Sequence, residues 1–359
     1  MGRPSEVCID LDALRANYRF LKQHHGGRLV AVVKADAYGH GADRCARALS
    51  QGPVQADAFG VAFVEEAVAL REAGVTAPIL VLEGAFDVAQ WQQARQLGLW
   101  MVVHHAAQIA TLEAALPAGS GMHVWLKLDT GMHRVGFAPD EARSVWDRLH
   151  STGRVAQITW MSHLARADEP DADATTRQID TFNQATAGLP GERSLSASAG
   201  LLGWPAARYD WARPGIALYG GSPLPAWQAA LRPVMTLSSH VFAVREVAVG
   251  EAVGYGGIWR APRPSRLGLV AMGYADGYPR TANVQTPLAV DGHAAQLAGR
   301  VSMDMLMVDL TALPQTGVGS RVEFWGPQVL AGAVAASVGT IDYELLCGVK
   351  RVPVRVLGA

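Results

Sequence analysis

Lys34 stands at the end of an apolar run in "RLVAVVKADAYGHG" (28–41) and leads straight into a turn rich in Gly, Asp and His. A partly desolvated lysine near other cations gives up its proton readily and can serve as nucleophile or base. Arg134 follows a later apolar run, His163 follows the next, and Ser198 ends the one after that. Arg213, Gly215 and Ile216 introduce the last. Alone, Lys34 reads as a lysine snorkelling from an apolar wall. Four polar or charged side chains recurring at the ends of successive strands read as one site on one rim.

The elements that must hold this rim follow a repeating pattern. Apolar runs at 29–34, 58–62, 78–82, 99–103, 123–128, 157–161, 193–198 and 215–220 alternate with helix-period stretches such as "FVEEAVALREAG" (63–74). Continuous apolar runs bounded by turns are typical of strands buried on both faces. Eight such units predict a (β/α)8 barrel over residues 1–232, with a doubly wound sheet as the alternative that periodicity leaves open. Beyond about residue 232 the strings become short, β-rich and separated by Gly or Pro, with one helical stretch at 329–348. Residues 233–359 are therefore expected to form a mostly-β domain.

Composition narrows the function classes. The chain has 359 residues, half of them hydrophobic, and a formal net charge of −1. No basic run points to nucleic acid or an anionic membrane. Cys8, Cys45 and Cys347 have no C-x-x-C spacing, which suggests a reducing compartment. The amphipathic start and the lack of a span-length apolar run add to the expectation of a soluble cytoplasmic protein. The pairs His24–His25 and His104–His105 place neighbouring rings on diverging faces, so no metal site is expected. "GYGGIW" (254–259) lacks dinucleotide-loop spacing and reads as a turn exposing Tyr255.

The motifs "AVVKADAYGHG", "LDTGMHRVGF", "MSHLARAD", "ARPGIALYG", "VGYGG", "GYADGYPR" and "GRVSMDM", followed by "TIDYE", resemble the alanine racemase family in content and order over nearly the whole chain. The short spacing of "DTGMHRVGF" and "SLSAS" is similar to the catabolic branch. The resemblance implies interconversion of L- and D-alanine with pyridoxal 5'-phosphate, supplying D-alanine for the cell wall or L-alanine catabolism. Lys34 would carry the cofactor in imine linkage. Tyr38, Ser198, Gly215, Ile216 and Tyr343 would hold its phosphate, through hydroxyls and backbone N–H groups. Arg213 would contact the pyridine nitrogen, and His163 would stack on the ring.

Racemisation needs one base on each face of the substrate Cα. The family pattern implies Lys34 and, from a partner subunit, Tyr255, so a homodimer would be obligatory. Arg134, Met303 and Tyr274 would surround the substrate carboxylate. Asp304, Arg280, Arg300 and Asp168 would line the access path. Lys127 matches a lysine that is often carbamylated and orients the arginine. Two departures are Ala197, where many members carry Asn, and Ser302, often Cys. The competing expectations are a racemase of serine or another small amino acid, a related decarboxylase, and a non-catalytic cofactor carrier. A decarboxylase should offer a cysteine and acidic residues where this chain has "VGYGG" and "SMDM", and a carrier lacks the second domain.

Overall fold

Short runs of β-branched and aliphatic residues form the inner wall, because strands flanked by helices bury both faces. In the computed structural model, which describes residues 3–169 and 173–358, the strands are β1 (Glu6–Asp10), β2 (Arg28–Val32), β3 (Ala58–Val61), β4 (Ile79–Val81), β5 (Trp100–Val103), β6 (Met122–Lys127), β7 (Val155–Met161), β8 (Glu192–Ser194) and β9 (Trp211–Ala212). Strands β2 to β9 are parallel and close into an eight-stranded barrel through the pairing of β9 with β2. Val30, Ala58, Leu80, Val102, Trp125, Met161 and Trp211 fill its interior, the rings of Trp125 and Trp211 meeting edge-on with centroids 5.7 Å apart.

Two expectations about the barrel need correction. The eighth strand is Trp211–Ala212; the run expected there, 215–220, forms a 3-10 turn over Ile216–Tyr219. Composition alone does not separate a buried strand from a buried turn. Ser198 likewise opens the helix Ser198–Gly203 instead of ending β8. The effect is that Arg213, Gly215 and Ile216 follow the last strand, on the same rim as the other strand-end residues.

The second domain contains β10 (Met235–Val247), β11 (Ala252–Val253), β12 (Trp259–Arg260), β13 (Ser265–Val270), β14 (Leu288–Val290), β15 (His293–Leu297), β16 (Leu306–Asp309), β17 (Arg321–Trp325) and β18 (Val354–Leu357). Its main sheet runs β13-β16-β15-β14-β17-β10-β1-β18. Strand β10 pairs with β17 over Leu237–His240 and with β13 from Val241 onward, the latter pairing carrying an irregularity between Val241 and Ala243. Helices Ala331–Val338 and Asp342–Gly348 are the helical stretch expected at 329–348. Strand β1 corrects the expectation that residues 1–232 are all barrel. It pairs antiparallel with β10 and parallel with β18, so the barrel segment begins with helix Leu11–His25. No helix among the described residues is long and apolar enough to cross a membrane.

That first helix is tied down at three points. Asp10 caps it by accepting from the N–H groups of Asp12 and Ala13, both at 2.9 Å. Gly26, at φ 78°, ends it in the left-handed conformation that glycine adopts without a Cβ penalty. Between them, buried Asn17 donates to the carbonyls of Leu218 (3.0 Å) and Arg232 (2.8 Å) and accepts from the Arg232 N–H (2.8 Å). This one side chain fixes the turn after β9 and the start of the second domain. Asn17→Ala strands three backbone groups and should lower unfolding free energy by about 3 kcal/mol. Chemical denaturation checks this, with an unchanged midpoint as the contrary result.

Candidate active site

Lys34 lies two residues beyond β2 and enters a turn of unusual hand. Ala35, Asp36, Ala37 and Tyr38 have φ of 53°, 52°, 54° and 55°, a left-handed helical turn with no glycine in it. Such a turn costs roughly 1–2 kcal/mol per residue. It persists because its surroundings hold it from several sides. The Ala35 N–H donates to Glu66 Oε1 at 2.7 Å and the Ala37 N–H to the Val33 carbonyl at 2.8 Å. Nδ1 of buried His40 donates to the carbonyls of Ala37 and Tyr38, at 2.9 and 3.0 Å. The turn folds Tyr38 back against Gly215, where any Cβ would collide with the Tyr38 hydroxyl.

The mouth of the barrel holds a cavity of about 340 Å³, a size typical of small-molecule sites. It is lined by Lys34, Tyr38, Lys127, Arg134, His163, Ala197, Ser198, Arg213, Gly215 and Ile216, and by Tyr343 and Cys347 from helix Asp342–Gly348. Every residue expected to hold cofactor is therefore in one cavity, together with Arg134 and Lys127. Four cations (Lys34, Lys127, Arg134, Arg213) face a single carboxylate, Glu83, which suits a ligand with several negative charges.

Arg213 is buried, 3% exposed, and its partners are uncharged. It donates to Ser194 Oγ (2.6 Å), the Ser162 carbonyl (2.6 Å), the Leu195 carbonyl (3.3 Å) and His163 Nδ1 (3.4 Å). Burial pushes its pKa down to about 9, so it remains a cation at neutral pH. Burial and the Arg213 charge hold the His163 imidazole well below its usual range. Because Nδ1 accepts from Arg213, the proton of the neutral ring resides on Nε2. Ser198 Oγ accepts from the N–H groups of Gly215 (3.0 Å) and Ala217 (3.2 Å), drawing the turn after β9 onto the start of helix Ser198–Gly203.

Lys127, at the end of β6, is also buried. Burial, with the charges of Arg213 and Arg134, lowers it to about 8, so it is still mainly a cation at neutral pH but supplies a minor fraction of neutral amine far larger than an ordinary lysine does. Arg134 is delivered by a loop wound around Asp129. That carboxylate accepts from the N–H groups of Gly131, Met132 and His133, each at 3.0 Å.

The remaining expected residues lie elsewhere. Tyr255, Met303 and Tyr274 are exposed on the second domain (70%, 52% and 37%) and do not line this cavity. Asp304, Arg280, Arg300 and Asp168 do not line it either. Tyr274 and Met303 sit together, since the Tyr274 N–H donates to the Ser302 carbonyl and the Ala275 N–H to the Met303 carbonyl, both at 3.1 Å. Sequence reading missed Glu83 and Cys347. Glu83 has the same signal as Lys34, a polar residue just past an apolar run, and Cys347 stands four residues after Tyr343 on one helical face. Among the described residues no group of three or more His, Cys, Asp or Glu could hold a metal ion.

A lysine and three further cations at the C-terminal mouth of a (β/α)8 barrel, closed over by a β domain, define the barrel class of pyridoxal-phosphate enzymes. The donor set fits the group: a Ser198 hydroxyl whose oxygen accepts from two backbone N–H groups and whose own proton is left to donate, a glycine cradle under Tyr38, and a buried arginine with no carboxylate partner. Comparison with known proteins agrees. Residues 9–223 match the alanine racemase N-terminal domain and residues 234–357 the C-terminal domain. The chain is 58% identical over 356 residues to an alanine racemase from Azoarcus sp. (99% of this chain, 100% of the relative). It is 53% identical to the catabolic alanine racemase of Pseudomonas putida, covering 99% of each chain. A crystal structure of the biosynthetic alanine racemase from Pseudomonas aeruginosa superposes with TM-score 0.94 at 46% identity, over 99% of this chain and 100% of that one. The alanine racemase of Bartonella henselae, solved with covalently bound pyridoxal phosphate, gives 0.89 at 29% identity over the same shares. The chain belongs to the alanine racemase family.

The histidines of this fold set its acid limit. Burial lowers His25, His40 and His123 to about 4, and lowers His163 strongly as well. The unfolded chain protonates these rings near 6.5, so between about 6.5 and 4 it binds more protons than the folded chain. Stability should be full above pH 6.5 and fall steadily toward pH 4. Thermal melts across that range check it; a flat midpoint would show that the rings protonate without unfolding.

Proposed function

We propose that the protein interconverts L-alanine and D-alanine, with pyridoxal 5'-phosphate as cofactor, in a homodimer whose sites are shared between subunits. The observation that carries this reading is Lys34 opening into an anion-selecting cavity beside an arginine that has no carboxylate partner. When bound, the cofactor supplies an electron sink for the charge left at the substrate Cα once its proton departs. Lys34 anchors it, and Ser198, Tyr38, Tyr343 and the backbone at Gly215 and Ile216 hold its phosphate. Arg213 stays protonated and cannot hand a proton to a ring nitrogen, which limits how far charge spreads and so limits side reactions. Neutral His163, held by Arg213, would pack against the cofactor ring. Arg134 orients the substrate carboxylate.

Lys34 Nζ moves the Cα proton on one face. The opposite face needs a second base. Tyr255 serves this role from the partner subunit. Its 70% exposure, and that of Met303 and Tyr274 on the same domain, leaves an apolar face free to meet the exposed Phe63 and Phe86 on a barrel rim. Tyr274 and the backbone of Met303 then complete the carboxylate site, with Asp304, Arg280, Arg300 and Asp168 along the access path. The barrel and helix Asp342–Gly348 of one subunit thus supply the cofactor side of each site, and the exposed residues of the partner's second domain supply the other. We place the enzyme in the cytoplasm, where the unpaired Cys8, Cys45 and Cys347 stay reduced, and assign it to supplying D-alanine for peptidoglycan or L-alanine for catabolism.

Either pure enantiomer should end as an equal mixture, because mirror-image solutes have equal free energy in water. Mixing Lys34→Ala and Tyr255→Ala homodimers, with subunit exchange, should restore about a quarter of wild-type activity, since half the dimers are mixed and each has one intact site. Amine with loss of CO2, or no recovery after verified exchange, defeats the respective claims. Lys127 as neutral amine can add CO2, forming an N–C bond and releasing one proton, to give Arg134 an anionic partner. A carbamate 13C resonance from labelled bicarbonate should be present in the wild type and absent in Lys127→Ala; a signal that survives the substitution rules the site out.

A further inference from the structure

Asp276, in "GYADGYPR", is a fully buried carboxylate that the reaction does not use. A buried charge persists only when paired and hydrogen-bonded. Arg3 grips it with both terminal nitrogens, Nη1 to Oδ1 at 2.7 Å and Nη2 to Oδ2. Arg351 Nε lies 3.7 Å from Oδ1, and the Gly273 N–H donates to Oδ2 at 3.0 Å. Arg351 also reaches outward, its Nη2 donating to Asp304 at 2.9 Å. It does so from a left-handed backbone, φ 62°, a strained conformation for an arginine.

Three backbone segments meet here with no room between them. A Cβ on Gly273 would strike the carbonyl of Met303, and one on Gly277 the carbonyl of Gly348. The Lys350 N–H donates to the Asp276 carbonyl at 3.0 Å. Residues 349–351 directly follow the helix that carries Tyr343 and Cys347 into the chain's own cavity. The same clamp therefore joins that helix to the exposed pair Tyr274 and Met303.

We propose that Asp276, bridged by Arg3 and Arg351, is the positioning element that sets Tyr274, Met303 and Asp304 for substrate capture in the partner's site. The proposal rests on the reading that Tyr274 and Met303 serve the substrate carboxylate and Asp304 the access path. Asp276 touches no substrate; it acts by holding the 273–278 turn against 302–304.

The test compares Arg351→Gln, Asp276→Asn and Tyr274→Phe holoenzymes by steady-state kinetics and by the cofactor's visible absorption. Arg351 is half exposed, so its replacement leaves the fold intact even if Asp276→Asn does not. Arg351→Gln and any folded Asp276→Asn should raise KM for alanine on the order of tenfold, with kcat within about twofold and an unchanged absorption band, as misplacement of binding groups predicts. Arg351→Lys should recover part of the loss. If Tyr274→Phe raises KM while Arg351→Gln does not, the positioning role is wrong and the site reading stands. If neither changes KM, the site reading falls and the positioning role with it. A kcat loss with an altered absorption band in Arg351→Gln would also overturn it, by showing a general disturbance instead.

Discussion

The constraint on which the rest depends is a buried positive charge with no negative partner. Arg213 could be neutralised by a carboxylate, as buried arginines commonly are, yet its hydrogen bonds run to Ser194 Oγ and to the carbonyls of Ser162 and Leu195. Those acceptors belong to the ends of β7 and β8, so the guanidinium also staples adjacent strand ends together. The charge left over is available to the cavity. It depresses His163 and Lys127, makes the site hospitable to anions, and fixes which imidazole nitrogen carries the proton. One side chain thereby links barrel closure, the protonation of its neighbours and the choice of ligand.

The barrel was legible because strands buried on both faces announce themselves as apolar runs, and strand ends announce themselves as polar residues just past them. That rule located Lys34, Arg134, His163 and the neighbourhood of Arg213. It failed where hydrophobicity reports burial but not conformation: "GIALYG" is as apolar as a strand and folds as a 3-10 turn. It also gave no hint of the left-handed turn at 35–38, since "ADAY" contains no glycine and is stabilised by Glu66, far along the chain. Nor could β1 be placed, because its short buried run Val7–Cys8–Ile9 looks like any other strand until its partners are known.

The candidate residues separate by exposure. Those expected around the cofactor are gathered by the barrel mouth, while Tyr255, Met303 and Tyr274 stand in solvent on the second domain. The family resemblance supplies all of them together; only the fold divides them into two sets. That division is itself chemically sensible. A base on each face of a planar centre must approach from opposite directions, and two rigid bodies provide opposed approaches more readily than one cavity wall does.

The pairing of β1 with β10 and β18 has a consequence for synthesis. Residues 6–10 leave the ribosome early, but their hydrogen-bonding neighbours lie at 235–238 and 354–357. Until the final strand emerges, β1 has at least one open edge, the kind of edge that recruits stray chains. The barrel can close beforehand, because β2 to β9 need nothing beyond residue 212. Translation speed through the last hundred or so residues therefore sets how long the nascent chain carries a sticky, half-paired ribbon beside a finished barrel.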